Sequence, residues 1–290
     1  MANTRDIRNR IRSVKNTAKI TRAMQLVAAS KMKRAQDAAL QGRPYTQLMS
    51  RMLAVLRGKL PEFDHPFLED REVRTRGVLL ISTDRGLCGS LNANLFREAA
   101  GLDSVNTVFY SIGKKARQFL GRTQRRLAAD FSISEDAPFK EFRPVMETML
   151  EDFKAGKIDS VEVLYPRFRN TLVQEPTLVP FLPLGHFVSA LEQRLATENI
   201  TLTQDERDFI FEPAAGEILP QLFDLFLRRE IYQLLLDARA SEQSARMVAM
   251  KAATDNAKKL TDQLTLQYNK ARQAGITQEI LEITAAAQSS

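Results

Sequence analysis

Pro220-Gln221-Leu222-Phe223-Asp224-Leu225-Phe226-Leu227 opens the stretch that decides the fold, and it runs on to Ala285-Ala286-Ala287. Between Pro220 and Gly275 it holds no further proline or glycine. Its Ala, Leu, Met, Gln, Lys and Arg residues lose little on entering a helix. Pro220 suits a first helical turn, where its missing N–H is not needed. A single helix over these ~68 residues would be roughly 100 Å long. That exceeds what a compact domain needs for its own core, so the helix is expected to reach a partner. Its seam is read at Leu222, Leu225, Tyr232, Leu236, Gln243, Met247, Met250, Ala257, Leu264, Tyr268 and Ala271.

The first partner is sought at the other end of the chain. Apolar or small residues recur at Ile7, Ile11, Val14, Ala18, Thr21, Gln25, Ala28, Met32, Ala35 and Ala39. This alternating spacing of four and three is a coiled-coil seam. Ile20, Met24 and Val27 add a second stripe that widens the apolar face. Gly42 and Pro44 predict a break or kink, after which helix resumes through Leu48, Met52, Val55 and Leu56. An antiparallel pair would put the chain start near residue 275. The last dozen residues would overhang it as an apolar tip, with Ile276, Ile280, Leu281 and Ile283 in need of a partner.

Charge is unevenly spread. The net charge is +7, but residues 1–60 carry 14 Lys/Arg against 2 Asp/Glu, while 61–219 carry 19 against 25. The basic face is therefore one helix: Arg5, Arg8, Arg10, Arg12, Lys15, Lys19, Arg22, Lys31, Lys33 and Arg34. It reads as a solvated surface, a nucleic-acid surface or a match for an acidic protein. No aromatic residue precedes Tyr45 to stack on bases. One cysteine, Cys88, and two histidines, His65 and His186, provide neither an internal disulfide nor a Cys/His metal cluster. No run is long and apolar enough for a membrane span. No metal or cofactor site is expected.

Between the helices the periodicity changes. Gly77 to Thr83 reads as a buried strand, Asp84 to Ser90 as a Gly-rich loop, and Leu91 to Ala100 as a helix. Strands are also read at Val105–Ile112 and Val161–Tyr165, with short extended pieces at Phe131–Ile133, Leu172–Val173, Thr177–Leu184 and Phe209–Pro213. Helices are read at Lys114–Leu120 and Pro144–Phe153. Alternating elements of this kind give an α/β domain with a mostly parallel, Rossmann-like sheet. Gly86-Leu87-Cys88-Gly89 lacks both the G-x-G-x-x-G spacing and the Lys-Ser/Thr of a P-loop, so it reads first as a tight turn. The fold class is thus α/β: a long antiparallel coiled coil of N- and C-terminal helices with an inserted Rossmann-like domain. Its parts are a shaft helix at 1–60, a foot domain at 61–215 and a second shaft helix at 216–290.

Four stretches carry a family resemblance. Ile20-Thr21-Arg22-Ala23-Met24-Gln25-Leu26-Val27-Ala28-Ala29-Ser30-Lys31-Met32 resembles the N-terminal helix of the gamma subunits of F-type ATP synthase. Ser82 to Asn92 is similar to that family's loop after its first core strand. Ala240 to Ala257 and Tyr268 to Glu279 are similar to its C-terminal helix. The resemblance implies a non-catalytic central-stalk rotor, one copy per complex. It would couple proton or ion flow through a membrane ring of c subunits to ATP synthesis or hydrolysis in a ring of alpha and beta subunits, alongside an epsilon subunit.

Residue by residue, the resemblance implies partner contacts at Met24, Cys88, Arg272, Gln273 and Thr277, and a bearing for the tip at Ile276, Ile280, Leu281 and Ile283. It implies no catalytic, cofactor-binding or metal-binding residue. With Cys88 alone, the cysteine-pair switch of chloroplast forms is unavailable. The motif begins close to Met1, which leads us to expect a peripheral protein on the cytoplasmic face of a bacterial inner membrane. The competing readings are a nucleotide-binding enzyme built on 77–184 and a basic coiled-coil scaffold for nucleic acid.

Overall fold

A computed structural model describes residues 4–56, 66–69, 71–134, 138–184 and 215–288. His65, His186 and the extended run expected at 209–213 lie outside the described residues. The elements are α1 (Thr4–Leu56), β1 (Arg76–Ile81), α2 (Leu91–Gly101), β2 (Thr107–Ile112), α3 (Lys114–Arg122), β3 (Leu127–Phe131), α4 (Phe139–Lys154), β4 (Ser160–Phe168), β5 (Gln174–Leu182) and α5 (Ala215–Gln288). The chain divides into two compact units, 1–30 with 246–290, and 31–245.

In the first unit α1 and α5 pack along the expected seam. Ile7, Ile11, Val14 and Ala18 are half-buried, and Thr21 and Ala28 are buried. Facing them, Met250, Thr254, Ala257 and Leu264 are buried, and Thr261, Tyr268 and Ala271 are half-buried. The Thr21 and Thr254 hydroxyls meet at 2.7 Å, which fixes an antiparallel register. Counting outward from that pair, Thr4 comes level with Ala271. Of the second stripe only Met24 is half-buried; Ile20 and Val27 are exposed, as is Leu26. A helix pair buries only one narrow face of each helix, and that face is already filled by the small seam residues.

In the second unit the sheet order is β3-β2-β1-β4-β5. Three neighbouring pairs are parallel and β4–β5 is antiparallel. Right-handed crossovers cover both faces of such a sheet. On one face Leu95 and Ala99 of α2 join Ala116, Phe119 and Leu120 of α3 over Val78, Leu80, Phe109 and Leu164. On the other, Phe142, Val145, Met149 and Phe153 of α4 share a core with Leu79, Tyr110 and Val163, and with Phe223, Phe226, Leu227, Ile231 and Leu234 of α5. α5 therefore supplies part of the foot domain's own core.

Several expectations give way here. Leu225 is exposed, because Phe223, Phe226 and Leu227 turn the opposite face of α5 to the sheet. α1 runs unbroken through Gly42 and Pro44. Gly42 is buried, and a Cβ there would lie 2.6 Å from Gln233 Oε1, so this glycine serves close packing, not chain reversal. Gln233 Nε2 donates to the Ala39 carbonyl at 3.0 Å. α4 begins five residues before Pro144 and carries that proline inside it. The strand expected at Phe131–Ile133 is instead Leu127–Phe131, an edge strand whose side chains are mostly exposed.

Candidate partner-binding surfaces

The loop after β1 is held from several sides. Asn92 Nδ2 donates to Thr83 Oγ1 at 2.7 Å and to Cys88 Sγ at 3.4 Å. Thr83 Oγ1 donates to the Arg85 carbonyl at 2.8 Å. Asp84 Oδ1, the Thr83 carbonyl and Ser82 Oγ accept the N–H groups of Lys114, Lys115 and Ala116. Those are the amides of the α3 N-terminus, the group an anion would use, and the chain's own loop occupies them. Gly113 sits at φ +96°, where a Cβ would collide with the Ser82 backbone. That contact lets α3 start directly over the end of β1.

In open α/β sheets ligands bind beyond the strand ends where the winding reverses. Here β1 lies between β2 and β4, so the reversal falls at β1 and β4. α5 crosses this place. Ala245 packs with Cys88 and Leu91 of the β1–α2 region, and Ser244 Oγ donates to the Thr171 carbonyl at the β4–β5 tip, 2.8 Å away. Phe168 N donates to Asp237 Oδ2 one step earlier. The chain's own helix lies across the crevice where a nucleotide would enter, which counts against the nucleotide-enzyme reading.

Cys88 is buried, so its loop, not its thiol, meets the surface. Asp84 to Leu87, Gly89 and Ser90 are exposed, and the large apolar side chain among them is Leu87, held at φ +64° with 61% of its surface accessible. A non-glycine residue in that region is strained unless its surroundings hold it. No feature of the sequence singled out Leu87. The only hint was its place between two glycines.

The α1–α5 pair of the first unit carries the other candidates. Met24 is half-buried, beside exposed Ile20 and Val27. Arg8, Arg10, Arg12, Lys15, Lys19 and Arg22 are all exposed. Arg272, Gln273 and Thr277 are exposed on α5, and the Thr277 hydroxyl bonds back to the Gln273 carbonyl. Ile276, Ile280, Leu281 and Ile283 are 49%, 55%, 63% and 69% exposed. They follow the point where α1 runs out, and α5 is exposed from Ile276 to Ala285. The structure thus brings Met24 near the apolar α1 band and places Cys88 in a different unit. Among the described residues no helix is long and apolar enough to cross a membrane.

A family model described as ATP synthase matches residues 3–289. The ATP synthase gamma chain of Opitutus terrae is 54% identical over 99% of this chain and 98% of its own length. The chain belongs to the ATP synthase gamma family. The gamma chain of Methylacidiphilum infernorum is 43% identical over the same shares. Among solved structures, the Euglena gracilis mitochondrial ATP synthase with OSCP, F1 and c-ring contains a chain matching at TM-score 0.70 and 19% identity, over 99% of this chain and 94% of that one. A rotor structure of the same enzyme matches at TM-score 0.64 over 94% of this chain. At that identity the likeness bears on the fold, and it agrees with a gamma-type pair of terminal helices around an α/β domain.

Proposed function

We infer that the chain is the central-stalk rotor subunit of an F-type ATP synthase. The observation that carries this reading is gamma-family membership over essentially the whole chain, on a helix pair whose apolar end is exposed among the described residues. The subunit is non-catalytic: ATP is made or hydrolysed on beta subunits, and rotation of an asymmetric shaft presents a different face to each site in turn. Its partners are the alpha and beta subunits, the epsilon subunit and the c-ring.

Ile276, Ile280, Leu281 and Ile283 form the bearing tip. Met24, Arg272, Gln273 and Thr277 meet the catalytic ring along the shaft, and the Cys88 loop meets it through Leu87. The basic face of α1 takes acidic loops of the ring, a charge complementarity that steers the encounter more than it tightens binding. The assembly sits on the cytoplasmic face of a bacterial inner membrane, with this chain peripheral.

Co-purification tests the reading. A tagged chain should bring down two larger nucleotide-binding chains, each in threefold molar excess, and the purified chain alone should hydrolyse no ATP. Recovery of the chain with neither companion from its native membrane fraction would refute the assignment.

A further inference from the structure

The foot domain carries a basic rim that the rotor reading does not use. Residues 61–219 have an acidic excess, yet 97–126 hold seven Lys/Arg against two Asp/Glu. Of these, Arg122, Arg125 and Arg126 lie where β2 and β3 begin, with Arg97 on the preceding helix, at the opposite end of the parallel strands from the Ser82–Ser90 loop; Lys114, Lys115 and Arg117 open α3 beside that loop. Arg125 donates to the Leu102 and Ala100 carbonyls, both at 2.7 Å, and so closes the C-terminus of α2. Arg126 Nη1 reaches the Val105 carbonyl at 3.3 Å. These bonds join the α2–β2 and α3–β3 loops into one surface. Arg122, in the last turn of α3, is exposed, and no carboxylate pairs with it among the described residues. Arg97, on α2, is also exposed and bonds to Asn94. Asp103 belongs to the same rim, with its oxygens engaged by the Val105 N–H and the Asn106 amide.

Apolar side chains stand among these charges. Val105 is 69% exposed and Leu127 is 37% exposed. We propose that this rim, formed by Arg122, Arg125, Arg126, Val105 and Leu127, docks on an anionic phospholipid surface. Arginine heads would lie at the phosphate level while the two aliphatic side chains enter the boundary beneath. Cationic groups interspersed with exposed aliphatic residues fit an interfacial lipid site. A single-stranded nucleic-acid surface would present aromatic platforms, and the described residues of the rim offer none. The inference stands on the chemistry of the rim and not on the rotor assignment.

The chain has no tryptophan, so Val105→Trp places a unique fluorophore in the rim. The full-length variant is mixed with vesicles of phosphatidylglycerol and phosphatidylcholine that carry brominated acyl chains. The indole emission should shift to the blue and be quenched, and the effect should fade as salt rises. Phosphatidylcholine vesicles alone should produce neither change. Adding Arg122→Glu and Arg126→Glu should weaken the half-maximal lipid response roughly tenfold or more; Arg122→Gln with Arg126→Gln should give a smaller weakening, and melting curves verify that both variants fold. The basic α1 helix provides an internal control. If anionic vesicles sediment with the chain while the indole stays unshifted, α1 does the binding and the proposal is wrong. A response to poly-glutamate but not to vesicles would make the rim a protein-docking site and overturn it equally.

Discussion

Thr21 Oγ1 and Thr254 Oγ1 lie 2.7 Å apart in the buried seam between α1 and α5. Thr254 also bonds to the Met250 carbonyl at 2.8 Å. Each hydroxyl has one proton. Thr21 Oγ1 likewise lies 3.1 Å from the Ala18 carbonyl, so one hydroxyl keeps its carbonyl while the other donates across the seam. Whichever donates, Thr21→Val removes the buried partner of the Thr254 hydroxyl and should cost about 1 kcal/mol. Thr21→Val with Thr254→Val replaces both partners by isosteric apolar groups and should recover most of the loss. Urea unfolding of the four chains in a double-mutant cycle reads the coupling; strictly additive losses would mean that the pair sets no register.

Gly113 predicts a larger effect. At φ +96° a side chain is strained, and a Cβ there meets the Ser82 backbone, which cannot step aside as a flexible side-chain end can. Gly113→Ala should destabilise the chain by more than about 2 kcal/mol. Thermal unfolding by circular dichroism measures it. A shift no larger than that of an ordinary surface substitution would refute the close approach of α3 to the end of β1.

Tyr110 predicts an alkaline limit to stability. Burial, together with its bond to Asp152 at 2.7 Å, raises the phenol well above its ordinary value near 10. The folded state thus keeps a proton that the unfolded state releases. The stability linked to this group is whole below pH 10 and is lost as pH rises through and beyond that value. Denaturant midpoints recorded from pH 8.5 to 11.5 should fall more steeply for the parent chain than for Tyr110→Phe. Identical slopes would remove Tyr110 from the account.

Cys88 should be slow to react. Its side chain is buried with Leu91 and Ala245. Modification by a coloured disulfide reagent should run at least about 100-fold slower in the folded chain than in urea, since it must wait for local opening. Rapid labelling of the folded chain would show that α5 does not cover the loop.

The tip separates stability from assembly. Ile280→Asp with Leu281→Asp changes residues that are exposed in the free chain, so its unfolding should move by less than about 0.5 kcal/mol. The same pair should reduce the yield of assembled complex or its turnover severalfold, because charges would enter an apolar bearing. Normal assembly and turnover would argue against a bearing at these residues.

The residue pattern made some of this legible and hid the rest. The seam of unit one followed from its period because two helices bury narrow facing stripes, and Thr21, Ala28, Met250 and Ala257 are where that period puts them. The same reasoning failed at Leu225, where the helix packs on a sheet and the buried face is chosen by β1, β4 and α4. Gly42 read as punctuation because local propensity contains no information about Gln233, a residue far away in sequence. β3 escaped because Leu127 and Ala128 lie on an open edge with no alternation to mark them. For the candidate surfaces, the motif pointed to the Cys88 loop, but only the packing of Ala245 shows that Cys88 itself is turned inward, leaving Leu87 as the loop's exposed apolar side chain.

The sharing of α5 between the sheet and the seam also constrains how the protein is made. A ribosome completes β1 to β5 before it reaches Phe223, Phe226 and Leu227, so one face of the nascent sheet is covered by α4 alone during synthesis. Thr21 emerges among the first residues and must wait for Thr254, which emerges near the end. Such long-range closure is slow and leaves apolar surface open to aggregation in the interval. A chain cut short before residue 223 would keep every strand and still lack a finished core, and it should depend on chaperones from which the complete chain is soon released.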